Sequence, residues 1–210
     1  MPLIVITPLD TEPVSLGDVK EQCRVDNDDQ DGLLTRLIQV ARVWIEEITA
    51  RALGEQTFEL VLDRFPVGTR GDPLRGNTRV HESGRLVGPF IKIPRAPLIE
   101  IESITYIDEA GDSQTLDAAD YLVDKDTVPA RITPAFDTVW PLTQFRVNAV
   151  RVRFRAGYQN DSPGVDSPDS DFLPEPLRQA LLLKVQSLYD GVDLGMTIDA
   201  LINPYRIREF

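Results

Sequence analysis

With one cysteine, Cys23, and one histidine, His81, in 210 residues, the chain cannot form an internal disulfide or a Cys/His metal cluster. Nucleophilic catalysis of the Ser-His or Cys-His type would have to pass through His81. That residue lies in a Gly- and Arg-rich stretch with no nucleophile signature beside it. No run of 18 apolar residues occurs, so a transmembrane helix is not expected, and MPLIVITPLD lacks the basic flank of a signal peptide. The composition predicts a cytoplasmic product with no cofactor, no metal and no catalytic residue.

What is present is a soluble globular composition, 42% apolar and 27% charged. At this length folding buries roughly 70% of the unfolded chain's surface, enough for a substantial core. Net charge is -12 and unevenly spread. Residues 1–56 carry 11 acids and 5 bases, residues 57–160 carry 14 and 13, and residues 161–210 carry 9 and 4. The excess acid sits in the two chain ends, and such a surface does not hold a polyanion.

The most periodic stretch runs from Asp28 to Leu53. Leu33, Leu34, Leu37, Ile38, Ala41, Trp44, Ile45, Ile48 and Ala52 recur at three-and-four spacing, which predicts a long helix ended by Gly54. Its partner is expected over Pro174–Tyr189, where Leu177, Ala180, Leu181, Lys184, Val185 and Leu188 recur and Gly191 follows. Asp171 is the candidate cap of that second helix. A short first helix is predicted from Ser15, with Asp18 completing a cap and Leu16, Val19 and Cys23 on one face. A short last helix is predicted with Thr197 as N-cap and Pro204 as stop.

Between these helices the period changes to two. Phe58, Leu60 and Leu62 alternate with Glu59 and Asp63, and further strands are expected around Phe90–Ile93, Ile99–Ile107, Gln114–Leu116, Tyr121–Val123, Ala130–Ile132 and Val150–Phe154. Arg151, Arg153 and Arg155 alternate with Val150, Val152 and Phe154. One reading of that basic face is nucleic-acid binding; the other is cross-strand pairing with acids such as Glu100 and Glu102. Residues 66–89 form a long basic loop carrying Arg70, Arg75, Arg79 and Arg85, with a hairpin tip near Glu82–Gly84. Residues 161–171 read as a linker. The expected fold is α+β: a helical bundle of two short and two longer helices from both chain ends (1–56 and 172–210), with an inserted antiparallel β domain (57–160).

In the acidic run Asp26, Asp28, Asp29 and Asp31, the residues from Asn27 match the first half of an EF-hand loop, with Asp29, Asp31 and Gly32 at positions three, five and six, but position twelve is Ile38 and the bidentate glutamate is missing. Carboxylates at a helix N-terminus are sufficiently explained by the macrodipole. At the other end, Tyr205, Ile207 and Phe210 alternate with Arg206 and Arg208, a period that suits a strand added to another protein's sheet.

Several segments taken in order resemble one family. CRVDNDD, ITARALGEQTFEL, IPRAPLIEIESITYID, DAADYLVD, VRFRAGY, LPEPLRQALLLKVQSLYD and NPYRIREF are similar to the tailed-bacteriophage head-tail connector (adaptor) proteins, found also in prophages and gene transfer agents. Residues 66–89 depart most from that pattern. The resemblance implies a non-enzymatic virion protein of the neck. It would form a ring, twelvefold like the portal protein above it, join a tail-side neck or stopper protein, and let double-stranded DNA pass without sticking. On this reading Tyr205, Arg206, Ile207, Arg208 and Phe210 form a portal-binding arm. Asp26, Asp28, Asp29 and Asp31 line a lumen or rim, and Arg70, Arg75, Arg79 and Arg85 are loop contacts. A second expectation, of another class, is a soluble β-type ligand-binding module with helical flanks, presenting Trp140, Tyr106 and Tyr158 for stacking.

Overall fold

A computed structural model describes residues 2–66, 79–80, 86–87, 90–159 and 173–207. Among the described residues two compact units emerge: Leu9–Glu55 with those between Gly157 and Ile207, and Gln56–Ala156 with those up to Pro8. The α+β class and the mix of two short and two longer helices agree with expectation.

The helical unit is built from four helices. α1 (Leu16–Cys23) begins with a reciprocal cap, in which the Asp18 amide donates to Ser15 Oγ and the Ser15 amide to Asp18 Oδ2, both at 3.1 Å. α2 (Asp31–Thr49) buries Leu34, Ile38, Ala41 and Ile45 along one stripe. α3 (Glu175–Asp190) buries Leu177, Ala180, Leu181 and Val185 in the same cluster, and α4 (Gly195–Ile202) adds Ile198 and Ile202. Ile38, which would have had to be the twelfth ligand of a calcium loop, is a core residue. Lys184, counted with the apolar face of α3, spends its charge over the Trp44 ring at 4.1 Å. Leu188 is partly exposed rather than core.

Three helix ends differ from expectation. α2 stops at Thr49, with Ala50 in the left-handed conformation (φ 54), and not at Gly54. Glu46 Oε1 then accepts from the Leu53 amide at 2.9 Å, satisfying a buried donor past the helix end. Gly54 is needed for a different reason: a Cβ there would overlap the Leu9 side chain. α4 begins at Gly195 and not after Thr197: its N-cap is Leu194, three residues earlier, and Asp193 Oδ1 accepts from the Gly195 amide at 2.8 Å. The third difference is the start of α2, at Asp31 and not Asp28, whereas α4 does end before Pro204, at Ile202, and a 3-10 turn over Asn203–Tyr205 follows. Gly191 (φ 68) does end α3, while Asp171 lies outside the described residues.

Among its described residues the β unit holds ten strands: β1 Leu3–Thr7, β2 Gln56–Leu62, β3 Arg79–Val80, β4 Leu86–Val87, β5 Ile91–Lys92, β6 Leu98–Ile107, β7 Ser113–Thr115, β8 Tyr121–Asp124, β9 Arg131–Pro134 and β10 Val150–Ala156. They form a five-stranded antiparallel sheet, β1-β2-β10-β6-β7, a three-stranded sheet, β5-β9-β8, and the β3–β4 hairpin. The N-terminal arm, grouped above with the helices, is therefore a strand of this unit. In the large sheet Leu60, Val152 and Ile104 lie in register and are buried, and Phe154 stacks on Phe58 at 5.6 Å. The predicted turn after β6 is held by Asp108, whose Oδ1 accepts from the amides of Ala110 and Asp112 at 3.0 and 2.9 Å.

Candidate functional site

The basic face of β10 is already neutralised within the sheet. Arg151 pairs with Glu59 at 2.6 Å and Arg153 reaches the same carboxylate at 3.7 Å; Arg155 pairs with Glu100 at 2.8 Å and Glu102 at 3.9 Å. Cross-strand pairing is thus the structure's answer to the alternation. Glu59, expected on a solvated face, is only 9% exposed, because two arginines from the neighbouring strand fold over it.

The acidic run is only partly free. Asp26, Asp28 and Asp29 are exposed, but Lys20 Nζ lies 2.5 Å from Asp28 and 2.6 Å from Asp31. Hydrogen bonds to Asp28 and Asp31 raise the Lys20 pKa, and the same bond lowers that of Asp28. Lys20 sits in α1, one turn before the run, and offsets one of its four charges.

The C-terminal residues 203–207 are tied to the helical unit. Tyr205 packs against its core, Arg206 pairs with Asp199 at 2.7 Å, and the Ile207 amide donates to the Thr49 carbonyl at 3.0 Å. The clamp on this segment was not visible in the sequence. Arg51 Nε donates to the Tyr205 carbonyl at 2.7 Å and Nη1 to the Tyr158 hydroxyl at 3.1 Å, with its guanidinium 5.7 Å from the Tyr205 ring centroid. Burial pushes the Tyr158 hydroxyl pKa up even though the Arg51 charge pulls it down. An extended strand from Tyr205 onward is therefore corrected: Tyr205 closes a turn, since Pro204 presets φ for a tight turn as readily as for a strand. Arg208 and Phe210 lie outside the described residues, as do Arg70, Arg75 and Arg85. Of the loop arginines only Arg79 has a described backbone, in β3.

The aromatics of the ligand-binding alternative divide between the two units. Trp140 stacks on Phe65 at 4.8 Å and Phe65 meets Tyr106 edge-on at 5.6 Å, within the β unit. Tyr158 belongs to the helical unit and serves the Arg51 clamp. A feature that sequence reasoning missed is the loop of residues 135–148, where Val139, Leu142 and Phe145 are 79, 72 and 100% exposed. Short apolar residues scattered among Thr, Pro and Asn carry no periodic signal, so nothing in the sequence separated them from core positions.

This arrangement of a capped four-helix unit and an inserted antiparallel sheet can be compared with known proteins. Residues 13–69 match the family described as phage gp6-like head-tail connector protein. The match covers α1, α2 and β2, and so includes the Ser15 cap and Arg51, but neither Tyr158 nor Tyr205, the partners of Arg51. A comparison with curated proteins finds no match. Among solved structures, the chain is similar along its whole length to a subunit in the neck of an empty gene transfer agent particle computed with C6 symmetry, at a TM-score of 0.73 and 21% identity, covering 100% of this chain and 98% of that one. A chain in the virion of a native gene transfer agent particle gives 0.73 and 20% with the same coverage. One in a native neck computed with C12 symmetry gives 0.67 and 21%, again with the same coverage. The likeness to these chains covers helices and β insertion alike, and so shows their fold for this chain.

Proposed function

We propose that this chain is a structural head-tail connector subunit, one copy in a ring of the virion neck, without enzymatic activity. The observation that carries the reading is that a neck subunit matches both units of this chain end to end, while the connector family matches its N-terminal part independently. Twelve copies would match the portal protein above them, and a tail-side neck or stopper protein would sit below. The ring would assemble in the host cytoplasm and remain in the virion, and double-stranded DNA would pass through its centre. The exposed Asp26, Asp28 and Asp29 would face that passage or its rim, where like charge keeps phosphate from adhering.

The tail beyond Ile207 would reach the portal from a fixed origin, with Tyr205 and Arg206 anchoring it rather than docking themselves. The Arg51 clamp supports this division, since it orders the chain up to the point where the arm begins. The basic loop arginines Arg70, Arg75, Arg79 and Arg85 would meet other neck proteins. Cryo-electron microscopy of purified particles tests the reading: density for this chain is expected in a layer directly under the portal, at a symmetry that matches it. Particles that package DNA with this chain elsewhere, or without it, refute it. Deleting residues 208–210 should leave a folded protein that no longer co-sediments with portal-bearing heads, and retained co-sedimentation would move the docking surface off the tail.

A further inference from the structure

Two apolar surfaces of the β unit are left uncovered by the described residues. One is β1, the outer strand of the five-stranded sheet, where Ile4, Val5 and Ile6 are 42, 51 and 40% exposed. An apolar edge strand is a template for association and is ordinarily blunted by charge. Here Leu3–Thr7 contains no charged residue. The other is the 135–148 loop. Its apolar residues stand out from a fixed backbone: the Ala135 amide donates to Asp120, the Gln144 amide to Ile107 and the Asn148 amide to Asp63, at 2.9, 3.1 and 2.9 Å, and Trp140 is stacked on Phe65. Surfaces of this kind mark interaction sites rather than chance exposure.

Position and charge together point to the occupant. Gln144 is bonded to the end of β6, which lies three strands across the sheet from β1, about 14 Å at ordinary strand spacing. Two different patches set apart on one sheet can meet reciprocally across a two-fold axis or head to tail, and the ring reading above selects the second. A head-to-tail contact closes as a ring when the rotation allows. The whole chain carries -12, so copies brought side by side repel, and a contact that is itself uncharged adds no local repulsion to that. Leu3–Thr7 bears no charge, and the loop bears only Asp137 and Arg146, which sum to zero. A DNA backbone would instead require a cationic surface.

We propose that the 135–148 loop of one copy packs against the β1 edge of the next copy, with Phe145, Leu142 and Val139 lying on Ile4, Val5 and Ile6. This contact rests on the ring reading above and names the surfaces that close the ring. It adds a neighbour's apolar residues where each isolated subunit leaves its own in water.

The test uses the full chain in a Cys23→Ser background, with Val5→Cys and Phe145→Cys introduced singly and together, in purified particles treated with a short bismaleimide. All substituted positions are exposed or half-buried, so the variants should fold, and circular dichroism of the purified subunits checks this. The double variant is expected to give a ladder of covalent multimers rising to the closed ring, and each single variant only monomer. Monomer alone from the double variant overturns the proposal while leaving the ring reading intact, provided the chain is present in the neck. Dimers from a single variant, or Phe145→Cys joined to a different virion protein, also overturn it. Particles whose necks lack the chain refute the connector reading itself, and this contact with it.

Discussion

Replacing Arg51 with alanine should release the C-terminal segment of the helical unit without unfolding the rest. The guanidinium makes two hydrogen bonds, to the Tyr205 carbonyl and the Tyr158 hydroxyl, and lies over the Tyr205 ring. Hydrogen bonds from a charged donor contribute about 1.5–3 kcal/mol each, and a cation–π contact at a partly exposed site about 0.5–1 kcal/mol. Arg51, Tyr158 and Tyr205 are all half-buried, so water recovers part of the loss and the low end for the two hydrogen bonds alone sets its size, about 3 kcal/mol. The cost should fall on local opening of residues 203–207, whose other backbone tie is the Ile207 amide to Thr49. Native-state hydrogen exchange reads this directly: protection of the Ile207 amide should drop roughly a hundred-fold, at a tenfold per 1.4 kcal/mol, while Leu181 in α3 changes far less. Arg51→Lys keeps the charge but cannot form both bonds at once, and should recover less than half of the loss. Ile207 protection within threefold of the parent protein in Arg51→Ala would show that the clamp does not hold the segment.

Gly157→Ala should destabilise the protein by more than about 3 kcal/mol, because φ is 136 and the new Cβ would lie 2.8 Å from the Glu55 nitrogen and overlap the Gly54 carbonyl; urea denaturation checks it, and a loss under about 1 kcal/mol would contradict the geometry. Glu59→Gln should leave Arg151 and Arg153 without a carboxylate between them and increase retention on heparin, whereas unchanged retention would show that the arginines are not held by Glu59. Stability should fall at both extremes of pH. Lys20 and Tyr158 have raised values in the fold, so above about pH 10 the unfolded chain loses these protons first and stability declines as pH rises. Asp28 and Asp124 have lowered values, through Lys20 and Arg131, so their contribution is present above about pH 4 and is lost as pH falls through their folded values. Tyr158→Phe should flatten the alkaline limb of a thermal-melt series, and an unaltered limb would remove Tyr158 from the account.

The helical half of the fold was legible because burial of one stripe repeats every three to four residues, and Leu34, Ile38, Ala41 and Ile45 are core for that reason. The pairing of the β10 arginines with acids was legible too, since alternate residues share a face. Contacts between distant segments were not. Gly54 reads as a helix stop until Leu9 is seen against it, and Glu59 reads as solvated until Arg151 and Arg153 arrive from 92 and 94 positions later. The uncapped N-terminal arm likewise reads as a loose end, because an edge strand depends on a partner that the local sequence does not contain. Tyr205 was assigned to an arm from its period alone, and no local signal announced that Arg51 would hold it.

The close approach of Gly157 to Gly54 means that the chain leaves the helical unit and returns to it at one point. Gln56 and Ala156 are partners across β2 and β10, so the insertion begins and ends on adjacent strands. A hundred residues can therefore lengthen, shorten or exchange their loops while the helices keep their spacing, as an ornament can be changed on a ring without recutting the band. A gene joining Glu55 to Gly157 through a two- or three-glycine turn would ask the helical unit to stand alone. That crossing is the one place where the whole insertion could be exchanged at a single seam.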